Sequence, residues 1–210
     1  MNQMSKPFVT ILVLAGVAIV GGCQRKQSSQ PNSDKVIEDH STIAFKDAKA
    51  VAIQAKEALF ARLSGRLMEI MQSEGPAAAI QVCSQEASGI AKSVGDEHGV
   101  SIGRTALKLR NPKNVPPEWA KMLLDKGTTE PEFVSLPDGH TGALLPIKLQ
   151  ATCVVCHGPA DEIAEPLRSK LAELYPNDAA TGFKEGDLRG WFWVDVPPGS
   201  KSKATVIPTR

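Results

Sequence analysis

The sequence predicts an α+β fold built around one antiparallel sheet, and two observations lead to this. Apolar residues recur at helical spacing in the first half of the body, up to about His98, whereas short β-prone runs separated by Gly, Pro and Asp follow Gly99. Helices that come first, followed by hairpin-connected strands with short helices between them, are typical of an α+β domain. The 210 residues, 42% of them hydrophobic, suffice for one domain with a substantial core, predicted over residues 42–210.

Two helices are predicted ahead of the sheet. Between Thr42 and Glu74 no proline interrupts a stripe of apolar residues, which indicates one long amphipathic helix. The stripe consists of Ala48, Val51, Ala55, Leu59, Leu63, Leu67 and Ile70. Gly75-Pro76 breaks this helix, and proline suits the first turn of the next, which we expect to run to about His98. Its apolar face is formed by Ile80, Cys83, Ala87, Ile90 and Val94.

Four β-prone runs are predicted to form the sheet, at residues 100–109, 132–136, 143–149 and 190–196. An Asn- and Pro-rich connector over 111–117 leads into a short helix predicted at 118–126. Another short helix is predicted over 161–174, and Pro176 ends it.

The N-terminus is predicted to be an export signal. Lys6 precedes an apolar run over residues 8–22, which is shorter than the about 20 residues that a membrane-spanning helix needs. Small residues come directly before Cys23, an order that resembles a bacterial lipoprotein signal, in which the cysteine is acylated after cleavage. We therefore expect residues 1–22 to be a lipoprotein signal peptide and Cys23 to be lipidated. An ordinary signal peptide that leaves Cys23 unmodified is the alternative.

The mature protein is expected at the bacterial cell envelope, lipid-anchored to a membrane and facing the periplasm or the exterior. Residues 23–41 are polar and predict a flexible tether. Cleavage removes Lys6 from the 24 basic residues, which leaves 23 basic against 23 acidic residues. Because a surface that binds phosphates normally shows a large basic excess, nucleic acid is not expected as a partner. A redox partner protein would have to recognise a local patch.

The most specific chemical signal is Cys153-Val154-Val155-Cys156-His157. Cys-x-x-Cys-His is the attachment signature of c-type haem. The two cysteines reach the vinyl groups on one edge of the porphyrin and form thioethers, and the histidine lies beneath the iron. We therefore expect one covalently bound haem c. A thioredoxin-like dithiol would need a βαβ unit around the motif, and a zinc site would need further ligands at finger-like spacing.

The residues alone leave the sixth iron ligand open. The candidates are Met68, Met71, Met122, His40, His98, His140 and Cys83, or no protein ligand at all. The methionines match a helical core pattern, and the three histidines fall in the tether, at a helix end and in a turn. Cys83 is explained first as a small buried hydrophobe on an apolar helix face.

An ordered set of short motifs runs through residues 45–196. It consists of Gly75-Pro76 with Ala79-Ile80-Gln81-Val82-Cys83, then Gly103-Arg104-Thr105, Leu109-Arg110-Asn111-Pro112-Lys113-Asn114, Glu118-Trp119, the haem motif and Gly186-Asp187-Leu188-Arg189-Gly190. Taken together, these motifs resemble the Tll0287-like haem-domain family of bacterial proteins, also described as DUF3365. The resemblance implies a PAS-like α+β fold with one c-type haem, whose iron is bound by the motif histidine and by a cysteine thiolate.

Carried onto this chain, the resemblance implies His157 and Cys83 as the axial ligands and Cys153 and Cys156 as the thioether pair. One departure is Trp191-Phe192-Trp193, which stands where smaller residues are more usual and concerns the wall of the pocket. Candidates for pairing with the haem propionates are Arg104, Arg110 and Arg189, because guanidinium matches carboxylate geometry. Solvated arginines are the alternative.

The expected function is low-potential electron transfer or redox sensing, because a thiolate donates electron density and stabilises Fe(III). A haem-based sensor of a small ligand such as NO or CO, in which Cys83 is released, is the first alternative. A peroxidase-like haem enzyme is the second, but the sequence marks neither a substrate pocket nor a distal acid–base residue. We therefore expect an electron carrier or a sensor rather than an enzyme.

Overall fold

The computed structural model describes residues 40–202 of the chain. The predicted signal peptide, Cys23 and nearly all of the tether lie outside the described residues. The helices are α1 His40–Ser73, α2 Pro76–Gln81, α3 Ala87–His98, α4 Glu118–Asp125, α5 Ala151–His157 and α6 Glu165–Leu174. The strands are β1 Ser101–Thr105, β2 Glu132–Ser135, β3 Thr141–Lys148 and β4 Leu188–Val196.

The four strands form one antiparallel sheet in the order β1-β4-β3-β2. This confirms the predicted α+β class, with long helices that precede a single antiparallel sheet. The first strand is shorter than predicted and ends at Thr105. Beyond it the carbonyl of Lys108 accepts a hydrogen bond from the Arg189 side chain, and that of Leu109 accepts one from the Ala179 amide, so neither carbonyl continues the backbone ladder between β1 and β4.

The main core lies between the helices α1 and α3 and one face of the sheet. The stripe predicted for α1 is confirmed, since all of its members are buried except Leu67, which is partly buried. Alternate residues of the central strands meet this stripe: Ala143 and Leu145 from β3, and Phe192, Val194 and Val196 from β4. The opposite face is covered by α4, which packs against Leu144 and Trp191. The two-residue period of a strand thus separates two apolar layers.

The segment predicted as a second continuous helix is interrupted by a π-helical turn, Val82–Glu86, between α2 and α3. The Ala87 amide donates to the carbonyl of Val82, five residues earlier. The turn contains one residue more than an α-helical turn, so it changes the direction of the side chains that follow. As a result, the predicted apolar face divides: Ile80 packs against α6, whereas Ala87 and Val94 pack in the main core. Cys83 lies within this turn.

Candidate functional site

The Cys-x-x-Cys-His motif forms α5, a short helix that follows β3 almost directly. Cys153 and Cys156 are three residues apart, which places them on one side of the helix. Both are partly buried: Cys153 packs against the cluster of Leu149, Ala180 and Phe183, and Cys156 against the cluster that lies on α6. None of the three cysteines of the described chain is in a disulfide.

His157 is the last residue of α5, and its imidazole is held in one orientation. Its Nδ1 lies 2.7 Å from the carbonyl oxygen of Ala180, so Nδ1 carries the proton and donates it. The ring of Phe183 meets the imidazole edge to face, with the ring centres 6.4 Å apart. Burial, with a contribution from nearby arginines, lowers the pKa of His157 to about 3. The imidazole is therefore neutral and keeps the lone pair of Nε2, the form that binds a metal ion.

Cys83, on the π-helical turn, is influenced by the same charged side chains as His157. Burial raises the pKa of the Cys83 thiol, while Arg104, Arg110 and Arg189 act in the opposite direction. The same three arginines contribute to the lowered pKa of His157. Burial raises the pKa of Cys156, and Cys83 adds to this rise while Arg110 opposes it. The fold thus brings the four predicted cofactor ligands and the three predicted arginines to one region.

Arg104 and Arg189 form a concentration of positive charge with few internal partners. Burial lowers the pKa of Arg104, and within residues 40–202 its guanidinium makes no hydrogen bond or ion pair. Arg189 donates from Nη1 to the carbonyl of Lys108 at 2.9 Å, but its Nε is buried without a partner in the described chain. Burial and the neighbouring Arg110 lower the pKa of Arg189 to about 10. Such a site fits the carboxylates of a buried anionic group.

Arg189 reaches this site because of a β-bulge. Ile147 pairs with Gly190 and Lys148 pairs with Leu188, so Arg189 has no partner on β3. A bulged residue is turned out of the regular alternation, and bulges are common where a strand directs a side chain into a functional site. The sequence motif predicted the residue but not the irregularity that orients it.

Arg110 differs from the other two arginines, because its Nε and Nη2 donors are engaged within the protein. Its Nε donates to Asp178 at 2.9 Å, and its Nη2 donates to the carbonyl oxygens of Cys156 at 2.6 Å and Ala180 at 3.2 Å. The predicted contact of Arg110 with a propionate stays a prediction, and the observed bonds favour a structural role.

Sequence reasoning missed Tyr175, Asp178 and Phe183, which surround the site. Tyr175 is the single tyrosine of the chain and is 5% exposed. Burial and the nearby Cys83 raise the pKa of Tyr175 to about 12, while Arg110, Arg104 and Ser84 act in the opposite direction. Its position just before Pro176 indicated only the end of a helix, so no sequence signal pointed to this contact.

The other candidates for the sixth ligand have different surroundings. His140 lies before β3, at the opposite end of that strand from the haem motif, and its Nδ1 is 2.6 Å from Asp195. Met68 and Met122 are exposed, and Met71 packs beside Ile70. His98 ends α3, and the side chain of His40 lies outside the described residues. These placements favour Cys83, whose ligation of the iron stays a prediction.

A cavity of about 340 Å³ lies next to Cys83. It lies between α3, β1 and the connector at residues 111–115, and Arg104 and Trp193 are part of its lining. Trp193 packs flat on Gly103, since a Cβ atom at Gly103 would be 2.5 Å from the indole ring. Of the three aromatic residues expected to concern the pocket wall, Trp193 therefore lines the cavity, whereas Phe192 and Trp191 are buried in the two cores.

Between residues 40 and 202, no helix is both long and apolar enough to cross a membrane. In the same segment, no three or more His, Cys, Asp or Glu side chains are grouped so as to hold a metal ion.

Comparison with known proteins gives one family and one solved structure. The family model described as Tll0287-like matches residues 27–197. The crystal structure of the cyanobacterial haem protein Tll0287 is similar at 23% sequence identity, with a TM-score of 0.49, over 72% of this chain and 95% of that chain. No curated protein matches the chain significantly.

Proposed function

The chain belongs to the Tll0287-like family, and we propose from this premise that it is a haem-binding protein with one covalently attached haem c. The observation that supports this most directly is His157, a neutral imidazole with Nδ1 bonded to Ala180 and Nε2 free, on the helix of Cys153 and Cys156. The unpaired guanidinium of Arg104 and the buried Nε of Arg189 fit the propionates of such a group. Bound haem supplies one-electron chemistry at its iron.

Each residue of the site has a separate part in this proposal. Cys153 and Cys156 anchor the porphyrin, since each S–H adds across one vinyl C=C and forms a thioether without net oxidation. His157 and Cys83 would hold the iron. Because a thiolate stabilises Fe(III), we propose low-potential electron transfer or redox sensing as the function. The protein would act at the cell envelope, held by lipid on Cys23, and exchange electrons with a partner protein.

A small-ligand sensor is the second candidate, and the cavity next to Cys83 favours it. A cavity of about 340 Å³ leaves room for the Cys83 side chain to move aside. Tyr175 and Ser84 are polar neighbours of the thiol that could hold it in a displaced position. In this candidate Cys83 would be the residue that gives way to a molecule such as CO or NO when haem is bound.

Replacement of Cys83 tests the axial ligation. We expect Cys83→Ala to keep its covalent haem but to lose the low-spin thiolate signature of Fe(III) in the EPR and optical spectra. We also expect a more positive midpoint potential, because the anionic ligand is lost. Met122→Ala, at a residue that is 67% exposed on α4, is the matched control. Wild-type spectra in Cys83→Ala would rule out the thiolate as an iron ligand.

CO added to the reduced wild-type protein separates the two candidate functions, because a sensor binds CO and a carrier does not.

Arg104→Gln tests the proposed propionate contact. The variant removes a positive charge near the iron, so Fe(III) is favoured and the midpoint potential is expected to fall. A lost interaction of about 1 kcal/mol corresponds to roughly 40 mV, given that 59 mV is tenfold for one electron. Spectroelectrochemical titration measures the shift, and Lys113→Gln, at another basic residue of the cavity lining, is the control. Equal shifts in the two variants would point to a general charge effect instead of a contact.

A further inference from the structure

The loop that accepts the hydrogen bond of His157 Nδ1 is fixed by the largely buried carboxylate of Asp178. Asp178 Oδ1 accepts a hydrogen bond from the Ala180 amide at 2.8 Å. The backbone on both sides is also bonded: the Asp178 amide to the carbonyl of Tyr175, and the Ala179 amide to that of Leu109. Ala180 itself is 0% exposed. The carbonyl of Ala180 is therefore held in one direction, towards the imidazole.

Arg110 connects this loop to the haem motif. Its Nε donates to Asp178 Oδ2 at 2.9 Å, and the two side chains are only 9% and 11% exposed. Its Nη2 donates to the carbonyl of Cys156, near the end of α5, and to that of Ala180. Ala180 thus accepts from both Arg110 and His157. One guanidinium joins the carboxylate, the loop and the helix that contains His157.

We propose that Asp178 and Arg110 are positioning residues that orient His157 towards the iron and set its strength as a donor. The proposal rests on the proposed function, since it concerns the imidazole as an iron ligand. A histidine ligand donates more strongly when its other N–H has a good acceptor, and such outer contacts tune the metal. Arg110 shares the acceptor with His157, and Asp178 balances the charge of Arg110. Arg110 therefore acts on the haem through His157 and not through a contact with a propionate.

Two variants of the full-length haem protein separate charge from geometry. Asp178→Asn removes the negative charge and leaves Arg110 uncompensated, so Fe(II) is favoured. We expect the reduction equilibrium to shift at least threefold in that direction, which is about 30 mV upward. Asp178→Glu keeps the charge but moves the carboxylate by one methylene. We expect it to change the Fe(III) EPR g values, which report the imidazole orientation, with less than a threefold shift in reduction.

The control is Glu97→Gln, which breaks the exposed ion pair with Arg62 between α1 and α3. A loss of thermal stability with wild-type potential and EPR spectrum in both Asp178 variants would overturn the proposal and leave a purely structural pair. If Asp178→Asn does not fold, wild-type EPR g values in Asp178→Glu are enough by themselves to overturn the proposal.

Hydrogen exchange on the same samples separates this proposal from the proposed function. We expect the Ala180 amide, protected by Asp178, to exchange faster in Asp178→Asn than in Glu97→Gln. A wild-type protein that holds no haem would refute the proposed function. Faster exchange of the Ala180 amide in Asp178→Asn would still show that Asp178 fixes the loop. Haem in the wild type with no change of potential, spectrum or exchange in either Asp178 variant would refute the positioning role alone.

Discussion

Alanine at both Cys153 and Cys156 is expected to abolish covalent retention of haem completely. The two thiols lie on one side of α5 and, in the proposal, form the bonds that attach the porphyrin. Without them, His157 and Cys83 hold the iron by coordination alone, and coordination is lost on denaturation. Haem staining after denaturing electrophoresis measures this directly, and we expect the band of the double variant to disappear.

Cys83→Ala is the matched control for that experiment, because it removes a cysteine of the same region that forms no thioether in the proposal. Its band is expected to keep the intensity of the wild type. A stained band in the double variant would contradict thioether attachment through α5. A band lost in Cys83→Ala alone would mean that haem is attached through Cys83 and not through Cys153 and Cys156.

Leu59→Ala is expected to give a large loss of stability. Leu59 is 0% exposed on α1 and packs in the main core against the sheet. Truncation of a fully buried leucine removes its transfer free energy and leaves a cavity, at a cost of about 2–5 kcal/mol in the free energy of unfolding. For a domain of this size that corresponds to a fall in Tm of roughly 4–20 °C.

Ile53→Ala on the same helix is the control, because Ile53 is 46% exposed. We expect its free energy of unfolding to change by less than about 1 kcal/mol. Denaturant unfolding of the haem-loaded proteins, followed by circular dichroism, gives both values. Equal effects at the two positions would mean that the stripe on α1 does not face the main core.

The core was predictable from sequence, because burial leaves a periodic signal. In α1, 34 residues long, the apolar positions recur once per turn, and the stripe that they form is the one that faces the sheet. The haem motif was predictable for another reason, since attachment chemistry needs two cysteines and a histidine in fixed spacing. In both cases the physical requirement acts on side chains that are close in sequence.

The rest of the site depends on contacts that leave no such signal. His157 is oriented by a backbone carbonyl, that of Ala180, and any residue type can supply a carbonyl. Arg110 and Asp178 are 68 positions apart, and their pairing follows from the fold alone. The helix formed by the haem motif itself and the π-helical turn were also missed, because neither changes the local composition enough to be recognised.

The π-helical turn at Val82–Glu86 and the β-bulge at Arg189 have a common consequence for comparisons among relatives. Each is a one-residue insertion in an otherwise regular element, and each contains one residue of the candidate site, Cys83 or Arg189. A homologue that lacks either extra residue would keep the periodic core and therefore the fold, but its cysteine or arginine would be rotated away. Single-residue gaps at these two positions in an alignment should therefore distinguish relatives that share the chemistry from those that share only the architecture.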